Sequence, residues 1–174
     1  MNEKQKKVMV GMSGGIDSSV TAYMLQQEGY EVEGIYLKLH NRTDGYHERN
    51  LGYIEDVAKF LNIKYHILDL ANEFSKEVYD YFVDSYLTGT TPNPCVKCNK
   101  QIKFGSMLKF AQDHGADFLA TGHYAKTDGE FFYEADDKTK DQSYFLSQVD
   151  KEALKYMMFP LSTYKKEDIV KFGA

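Results

Sequence analysis

Two cysteines three residues apart, Cys95 and Cys98, are the chain's complement of thiols. They stand in Thr91-Pro92-Asn93-Pro94-Cys95-Val96-Lys97-Cys98-Asn99-Lys100-Gln101-Ile102-Lys103-Phe104. Pro92 and Pro94 stiffen this approach and hold Asn93 extended. Cys98 falls just before a predicted helix, whose N-terminus together with Lys97 and Lys100 predicts a lowered thiol pKa and a reactive thiolate. Other uses of the pair stay open. Zinc needs four ligands, of which the pair supplies two and His123 or an acidic residue would supply more. A redox dithiol is expected in a thioredoxin-like βαβ setting, which is lacking here, and inert buried cysteines leave the Pro and Lys flanks unexplained.

A second cluster is Gly11-Met12-Ser13-Gly14-Gly15-Ile16-Asp17-Ser18-Ser19. Adjacent glycines and hydroxyls at the start of a helix present free backbone N–H groups and the positive end of the helix dipole, a cradle for phosphate. The glycines are adjacent and no lysine follows them, so this is neither G-x-G-x-x-G nor the G-x-x-x-x-G-K-[ST] loop. The plain alternative is a tight turn that needs glycine for its conformation alone. Asp17 either approaches Mg²⁺ through water or caps the helix.

These residues must be positioned by regular elements. Val8 to Val10 predict a strand, and Val20, Ala22, Met24 and Leu25 a helix ended by Gly29. Val32 to Leu37 form a second strand, completing a right-handed β-α-β unit. His40 to Asn50 is a predicted loop; Ile54, Val57, Ala58 and Leu61 mark a helix, and Tyr65, Ile67 and Leu68 a third strand. Further helices are predicted over Phe74–Leu87 and around Ile102 to Ala111, and Phe118-Leu119-Ala120 is a fourth strand. A hairpin turning at Asp128-Gly129 follows. A helix is predicted from an Asp150 cap to Met158, stopped by Pro160, and one more from near Tyr164. The fold class is α/β, an open, mostly parallel sheet with helices on both faces, in which ligands bind beyond the carboxyl ends of the strands. Ser13 to Asp17, Leu37 to His40 and Gly122-His123 all fall there.

Composition sets the frame. The chain of 174 residues is 43% hydrophobic and 27% charged, which excludes a disordered, collagen-like or disulfide-scaffold protein. With 21 basic and 26 acidic residues the net charge is −5 and the pI near 5.5, against general phosphate-backbone binding as the main activity. No apolar run approaches the roughly 18 residues of a membrane span, and Val8 to Met12 is too short for a signal-peptide core. The expectation is a cytoplasmic protein with no membrane partner. One catalytic domain over 1–160 is expected, followed over 161–174 by the start of a truncated helix or central domain.

The S-G-G-x-D-S loop resembles the signature of the ATP pyrophosphatase (PP-loop) superfamily, an adenine nucleotide alpha hydrolase-like, Rossmann-like fold whose members cleave ATP between the α and β phosphates to adenylate a substrate. With the cysteine block, Thr121-Gly122-His123-Tyr124 and Lys140-Asp141-Gln142-Ser143-Tyr144-Phe145-Leu146, essentially the whole chain resembles the N-terminal domain of the bacterial MnmA family of tRNA-specific 2-thiouridylases. The resemblance implies ATP with Mg²⁺, adenylation of the C2 oxygen of the wobble uridine of tRNA, and sulfur from a cysteine persulfide supplied by a donor protein. It assigns Gly11, Met12, Ser13, Gly14, Gly15, Ile16, Asp17 and Ser18 to the ATP phosphates, Leu37 to adenine and Gly122 to the same nucleotide site. Cys98 is the implied nucleophile; Asn93, Pro94 and Cys95 face the target base; Lys140, Asp141 and Gln142 contact tRNA. Taken as residues alone, Leu37 is core by default, Lys140 to Gln142 a solvated charged loop, His123 a strand-end imidazole held by hydrogen bonds, and most of the 14 tyrosines half-buried filler rather than base-stacking platforms.

The sequence departs from that family in two places. Some members carry Asp-x-x-Cys where Cys95-Val96-Lys97-Cys98 stands, so position 95 offers no carboxylate, and Cys95 becomes a candidate redox partner or iron–sulfur ligand with Cys98. The family's second catalytic cysteine, central domain and C-terminal β-barrel are not among these 174 residues. The chain alone is therefore expected to bind ATP but to thiolate tRNA poorly. The alternatives are another PP-loop adenylating enzyme, a nucleotide-binding module without catalysis, or a metal-binding module.

Overall fold

The computed structural model describes residues 4–174. Five strands, β1 (Lys7–Gly11), β2 (Glu31–Lys38), β3 (Lys64–Asp69), β4 (Phe118–Ala120) and β7 (Met157–Met158), form one sheet in the order β3-β2-β1-β4-β7. Every neighbouring pair is parallel. The chain moves outward from β1 to β2 and β3, then returns to the other side of β1 as β4, so the strand order reverses between β1 and β4. That switch point is where an open α/β sheet leaves a crevice at its carboxyl edge.

Strand alternation decides which helices cover which face. Val8, Val10 and Ala120 turn toward Ala22 and Leu25 of α1 (Ile16–Gln27) and Ile54 and Leu61 of α2 (Tyr46–Leu61). Met9, Ile35 and Leu119 turn the other way, toward Phe104, Met107, Leu108 and Ala111. Those last four sit on a helical run over 94–113, α4, whose middle, Asn99–Met107, is π-helical. Another run over 71–87, α3, carries a shorter π segment at Ser75–Tyr79. A small antiparallel pair, β5 (Ala125–Thr127) and β6 (Phe132–Glu134), is the expected hairpin. Its turn is fixed by Asp128 Oδ1, which accepts from the N–H groups of Glu130 and Phe131 at 2.9 and 2.8 Å.

Two expectations need correction. Helix α2 begins at Tyr46, inside the stretch read as loop, because Asp44 Oδ1 accepts from the Tyr46 N–H and Gly45 adopts φ +76 at the N-cap. The helix expected from Asp150 to Met158 is only Lys151–Leu154, α5; Met157 and Met158 pair with Leu119 and Ala120 as the fifth strand. Pro160 opens a 3₁₀ turn, Pro160–Thr163, and α6 runs over Lys166–Phe172. Leu161 and Ile169 pack with Val20, Tyr124 and Ala135, tying this last segment onto α1.

The interior position of β4, between β1 and β7, gives a stability prediction. Leu119 is fully buried, and Leu119→Ala is expected to destabilise the fold by about 2–5 kcal/mol, read as a lowered urea midpoint at unchanged slope.

Candidate nucleotide and thiol site

The glycine loop is built at the end of β1. Gly14 stands at φ +86, a conformation L side chains rarely adopt, and a Cβ there would lie 3.1 Å from the Asn50 carbonyl oxygen of α2. The loop holds itself through its hydroxyls. Ser13 Oγ accepts from the Gly15 N–H at 3.3 Å, Ser18 Oγ from the Ser13 N–H at 3.2 Å, and Ser18 Oγ donates to the Gly15 carbonyl at 3.0 Å. Gly15 is the N-cap of α1 and no side chain caps it, which leaves leading N–H groups of the helix for an external anion. Gly122, after β4, closes the other side: a Cβ there would lie 3.0 Å from Asp17 Cβ and 3.2 Å from the Ser18 nitrogen. Only a glycine lets the two loops meet at this separation.

Between these loops and the end of β2 lies a cavity of about 470 Å³. Of the residues singled out in the sequence, it brings together Gly11, Met12, Ser13, Asp17, Ser18, Leu37, Gly122, His123 and Gln142. Gly14, Gly15 and Ile16 border instead a second hollow between α1, α2 and Phe172. Asp17 neither caps α1 through its side chain nor stands free. Its Oδ1 accepts from Tyr124 Oη at 3.1 Å and from Lys166 Nζ at 2.5 Å.

His123 shares a 2.6 Å hydrogen bond with the Thr121 hydroxyl through Nδ1. Burial, with the Lys103 ammonium adding to it, pushes its pKa down to about 3. It is a neutral imidazole at physiological pH, held by a hydrogen bond as expected. The unfolded chain, with an ordinary histidine near 6.5, binds the proton first as pH falls. Stability carried by this group is therefore complete above about pH 6.5 and is lost progressively from there toward pH 3. His123→Asn is expected to flatten the acid limb of a stability-against-pH curve by up to about tenfold in unfolding constant per pH unit.

At the β2 end the cavity is lined by His40, which the sequence placed at that strand end, and by Tyr36, Tyr46 and His47, to which it gave no role. Tyr36 Oη and His47 Nδ1 lie 2.6 Å apart, and His47 Nε2 lies 2.7 Å from the His40 carbonyl. A carbonyl can only accept, so His47 donates through Nε2 and Nδ1 accepts from the tyrosine. The His40 ring packs at a tilt against His47 at 4.5 Å and Tyr46 at 4.9 Å, and its buried Nδ1 has no partner among the described residues.

The cysteine motif differs from expectation at one point. Asn93 is extended, at φ −117 and ψ 90, as the prolines predict, but it is also an N-cap: its Oδ1 accepts from the Val96 N–H at 3.2 Å, and the helix begins at Pro94. Cys98 consequently lies inside the helical run rather than before it, beyond the turn with free N–H groups. Burial pushes the Cys98 thiol up; Lys103 opposes this and Cys95 adds to it. Lys97 is drawn away over the Tyr81 ring at 5.4 Å, and Lys100 faces Asp150 at 4.0 Å. The expected lowering of the thiol pKa is thus reversed. Cys95 is exposed and Cys98 half-buried. Next to it Asn99 is buried, donating from Nδ2 to the Phe145 carbonyl at 3.0 Å.

A model of the tRNA methyl transferase HUP domain matches residues 6–174. The chain belongs to this family. A HUP-domain relative, the tRNA-specific 2-thiouridylase MnmA 1 of Aliarcobacter butzleri, is 91% identical over 98% of the chain, which spans 49% of that protein's length. Among solved structures, a 4-thiouridine synthetase in complex with RNA and bound ATP superposes with TM-score 0.66 at 19% identity, over 97% of this chain and 40% of that one. The U34-tRNA thiolase NcsA of Methanococcus maripaludis, with its [4Fe-4S] cluster, gives 0.60 at 20% identity, over 97% and 55%. At such identities the two structures establish the HUP-type fold.

The lysine–aspartate–glutamine segment is half structural. The Gln142 N–H donates to the Tyr124 carbonyl at 2.8 Å while its Oε1 accepts from the Tyr124 N–H at 3.0 Å. Asp141 accepts from the Ala135 N–H at 2.8 Å and the Ser143 hydroxyl at 2.7 Å. Lys140 is exposed. Asn93, Pro94, Cys95 and Cys98 lie outside the cavity lining, whereas Lys103, on the same helical run as Cys98, is part of it. Sequence reasoning missed Lys103, whose signal is its place five residues beyond Cys98, a spacing that matters only in a π turn. Chemically, the HUP domain here offers an anion cradle, a carboxylate and a cation around one cavity, with a thiol on the adjoining helix.

Proposed function

We propose that the chain is the nucleotide-activating part of a tRNA 2-thiouridylase, using ATP to adenylate the C2 oxygen of the wobble uridine so that sulfur can replace it. The observation that carries this reading is the cavity at the β1/β4 switch point, walled by the uncapped start of α1 and by Gly122, with the Cys98 helix contributing to the same wall. Gly11 to Ser18 hold the phosphates, Leu37 and its neighbours the adenine, and Gly122 the nucleotide between them. Asp17, the cavity's carboxylate, is engaged through Oδ1 by Tyr124 and Lys166, so its Oδ2 is the oxygen that would hold Mg²⁺, an ion bound by one or two carboxylates together with substrate phosphates. The ion, when bound, neutralises charge on the departing pyrophosphate.

The C2 oxygen attacks the α-phosphorus and pyrophosphate leaves. The terminal sulfur of a persulfide on Cys98, delivered by a donor protein, then attacks C2, and AMP departs with the oxygen. A second thiolate cleaves the remaining S–S bond, leaving a disulfide with Cys98. Cys95, exposed and one helical turn away, is a thiol suited to that step. Asn93, Pro94 and Cys95 frame the target base, which must be splayed from its stack to be reached. Exposed Lys140 is the phosphate contact of the Lys140–Gln142 segment. Methyl transfer, the activity in the family's description, gives the phosphate cradle no role.

An iron–sulfur cluster of the usual kind takes four cysteines. Cys95 and Cys98 supply two, and among the described residues no group of three or more His, Cys, Asp or Glu could hold a metal. These residues do not fit a cluster. Among the described residues no helix is long and apolar enough to cross a membrane. On this reading the reaction takes place in the cytoplasm, where its tRNA substrate is met.

The test is ATP–pyrophosphate exchange with and without substrate tRNA, run on the wild type and Cys98→Ser. Exchange that requires tRNA and survives the substitution supports adenylation in this domain, with Cys98 reserved for the sulfur step. Absence of ATP binding overturns the reading.

A further inference from the structure

The cavity and the thiol are separate places in the fold, and one side chain belongs to both. Lys103 is the only lysine or arginine lining the cavity among the described residues, and the other walls carry the Asp17 carboxylate and the imidazoles of His40, His47 and His123. Among the described residues it makes no ion pair and no side-chain hydrogen bond, whereas Lys100 pairs with Asp150, Lys166 with Asp17, and Lys97 lies over the Tyr81 ring. A half-buried ammonium facing a cavity without a counter-ion is poised for an anion that arrives there.

Its position depends on the π-helical turn. Five residues make about 1.4 turns of α-helix, which would carry Cys98 and Lys103 to different sides of the axis. Bonding from i to i+5 over Asn99–Met107 widens the turn and brings residues five apart toward a common face. Lys103 thus enters the cavity while remaining within electrostatic reach of Cys98, on which its charge acts together with that of Cys95.

Resting on the nucleotide reading above, we propose that Lys103 is a positioning residue shared by the two half-reactions: the phosphates of ATP claim its charge while the nucleotide is bound, and it turns to the Cys98 thiolate when they leave. With ATP in the cavity, Cys98 loses the one cation that favours its ionised form and is held as a thiol. Once pyrophosphate has gone, the ammonium favours the thiolate again. No extra reactant is needed, since only the location of one positive charge changes. The consequence is order: sulfur chemistry at Cys98 is suppressed until activation has taken place.

The experiment is the rate of Cys98 alkylation by iodoacetamide at pH 8, with and without saturating ATP and Mg²⁺, on the wild type, Lys103→Gln and Lys103→Arg. Trypsin cleaves at Lys97, so mass spectrometry reads Cys95 and Cys98 in separate peptides. ATP binding is measured independently by calorimetry. The expected result is an alkylation rate in the wild type about three- to tenfold slower with ATP. Lys103→Gln should be slow without ATP and insensitive to it, and Lys103→Arg should restore the response. A wild type that binds ATP with no change at Cys98 overturns the role of Lys103 alone. So does an undiminished ATP effect in a folded Lys103→Gln, which would mean simple occlusion. A wild type that binds no ATP overturns the nucleotide reading, and this inference falls with it.

Discussion

Gly14→Ala should weaken ATP binding by about tenfold to a hundredfold, or roughly 1.4 to 2.8 kcal/mol. Two costs act at the same atom. The residue sits at φ +86, where a Cβ brings strain of about 1–3 kcal/mol, and the added methyl would stand 3.1 Å from the Asn50 carbonyl oxygen. Relief of both requires the loop to withdraw from α2, which spoils the row of N–H groups aimed at the phosphates. Gly29→Ala is the control. Gly29 has φ +91, and a Cβ added there would meet nothing within 4 Å, so this variant carries the backbone strain far from the cavity. Calorimetric titration with ATP should find the Gly29 variant destabilised yet fully competent to bind. Equal affinity loss in both variants would show that strain, and not the shape of the cradle, governs the nucleotide.

Cys98→Ser should reduce sulfur uptake from a persulfide donor to background while ATP affinity stays unchanged. The hydroxyl is nearly the same size, and Cys98 lies outside the cavity lining. A serine oxygen cannot hold sulfane sulfur at neutral pH, so the whole effect falls on the transfer step. Mass spectrometry of the intact chain after incubation with the donor reads the result directly. Uptake that persists in this variant and vanishes in Cys95→Ser would reassign the receiving thiol.

Much of this was legible in the sequence because the signals were local. The run Val8-Met9-Val10, the paired glycines and Gly29 specify strand, turn and helix within thirty residues, and the structure has that unit in place. The carboxyl ends of β1, β2 and β4 followed from counting elements. Met157-Met158 was not legible, because two residues carry no alternation and the preceding Lys-Glu-Ala-Leu favours helix; pairing with Leu119 and Ala120 decided the outcome. The environment of Cys98 was misread for a different reason. Asn-Pro is both an extended dipeptide and a helix start, and once Asn93 caps the helix the thiol moves from its first turn into its body. The π turns were invisible, since the apolar positions Ile102, Phe104, Met107 and Leu108 suit an ordinary helix equally well. Lys103 could therefore be assigned to the cavity only from the structure.

The place of β1 in the sheet also governs how the chain is made. Val8, Met9 and Val10 are wholly buried between two parallel partners. One partner, β2, follows within thirty residues, but the other, β4, is encoded roughly a hundred residues later. At about 5–20 residues per second, a ribosome takes roughly 5–20 s to supply it. Throughout that interval the β1 edge that will face β4 is unpaired and apolar in the nascent polypeptide. The strand that anchors the glycine loop thus emerges long before it is enclosed, which makes its open edge a natural point of chaperone contact during synthesis.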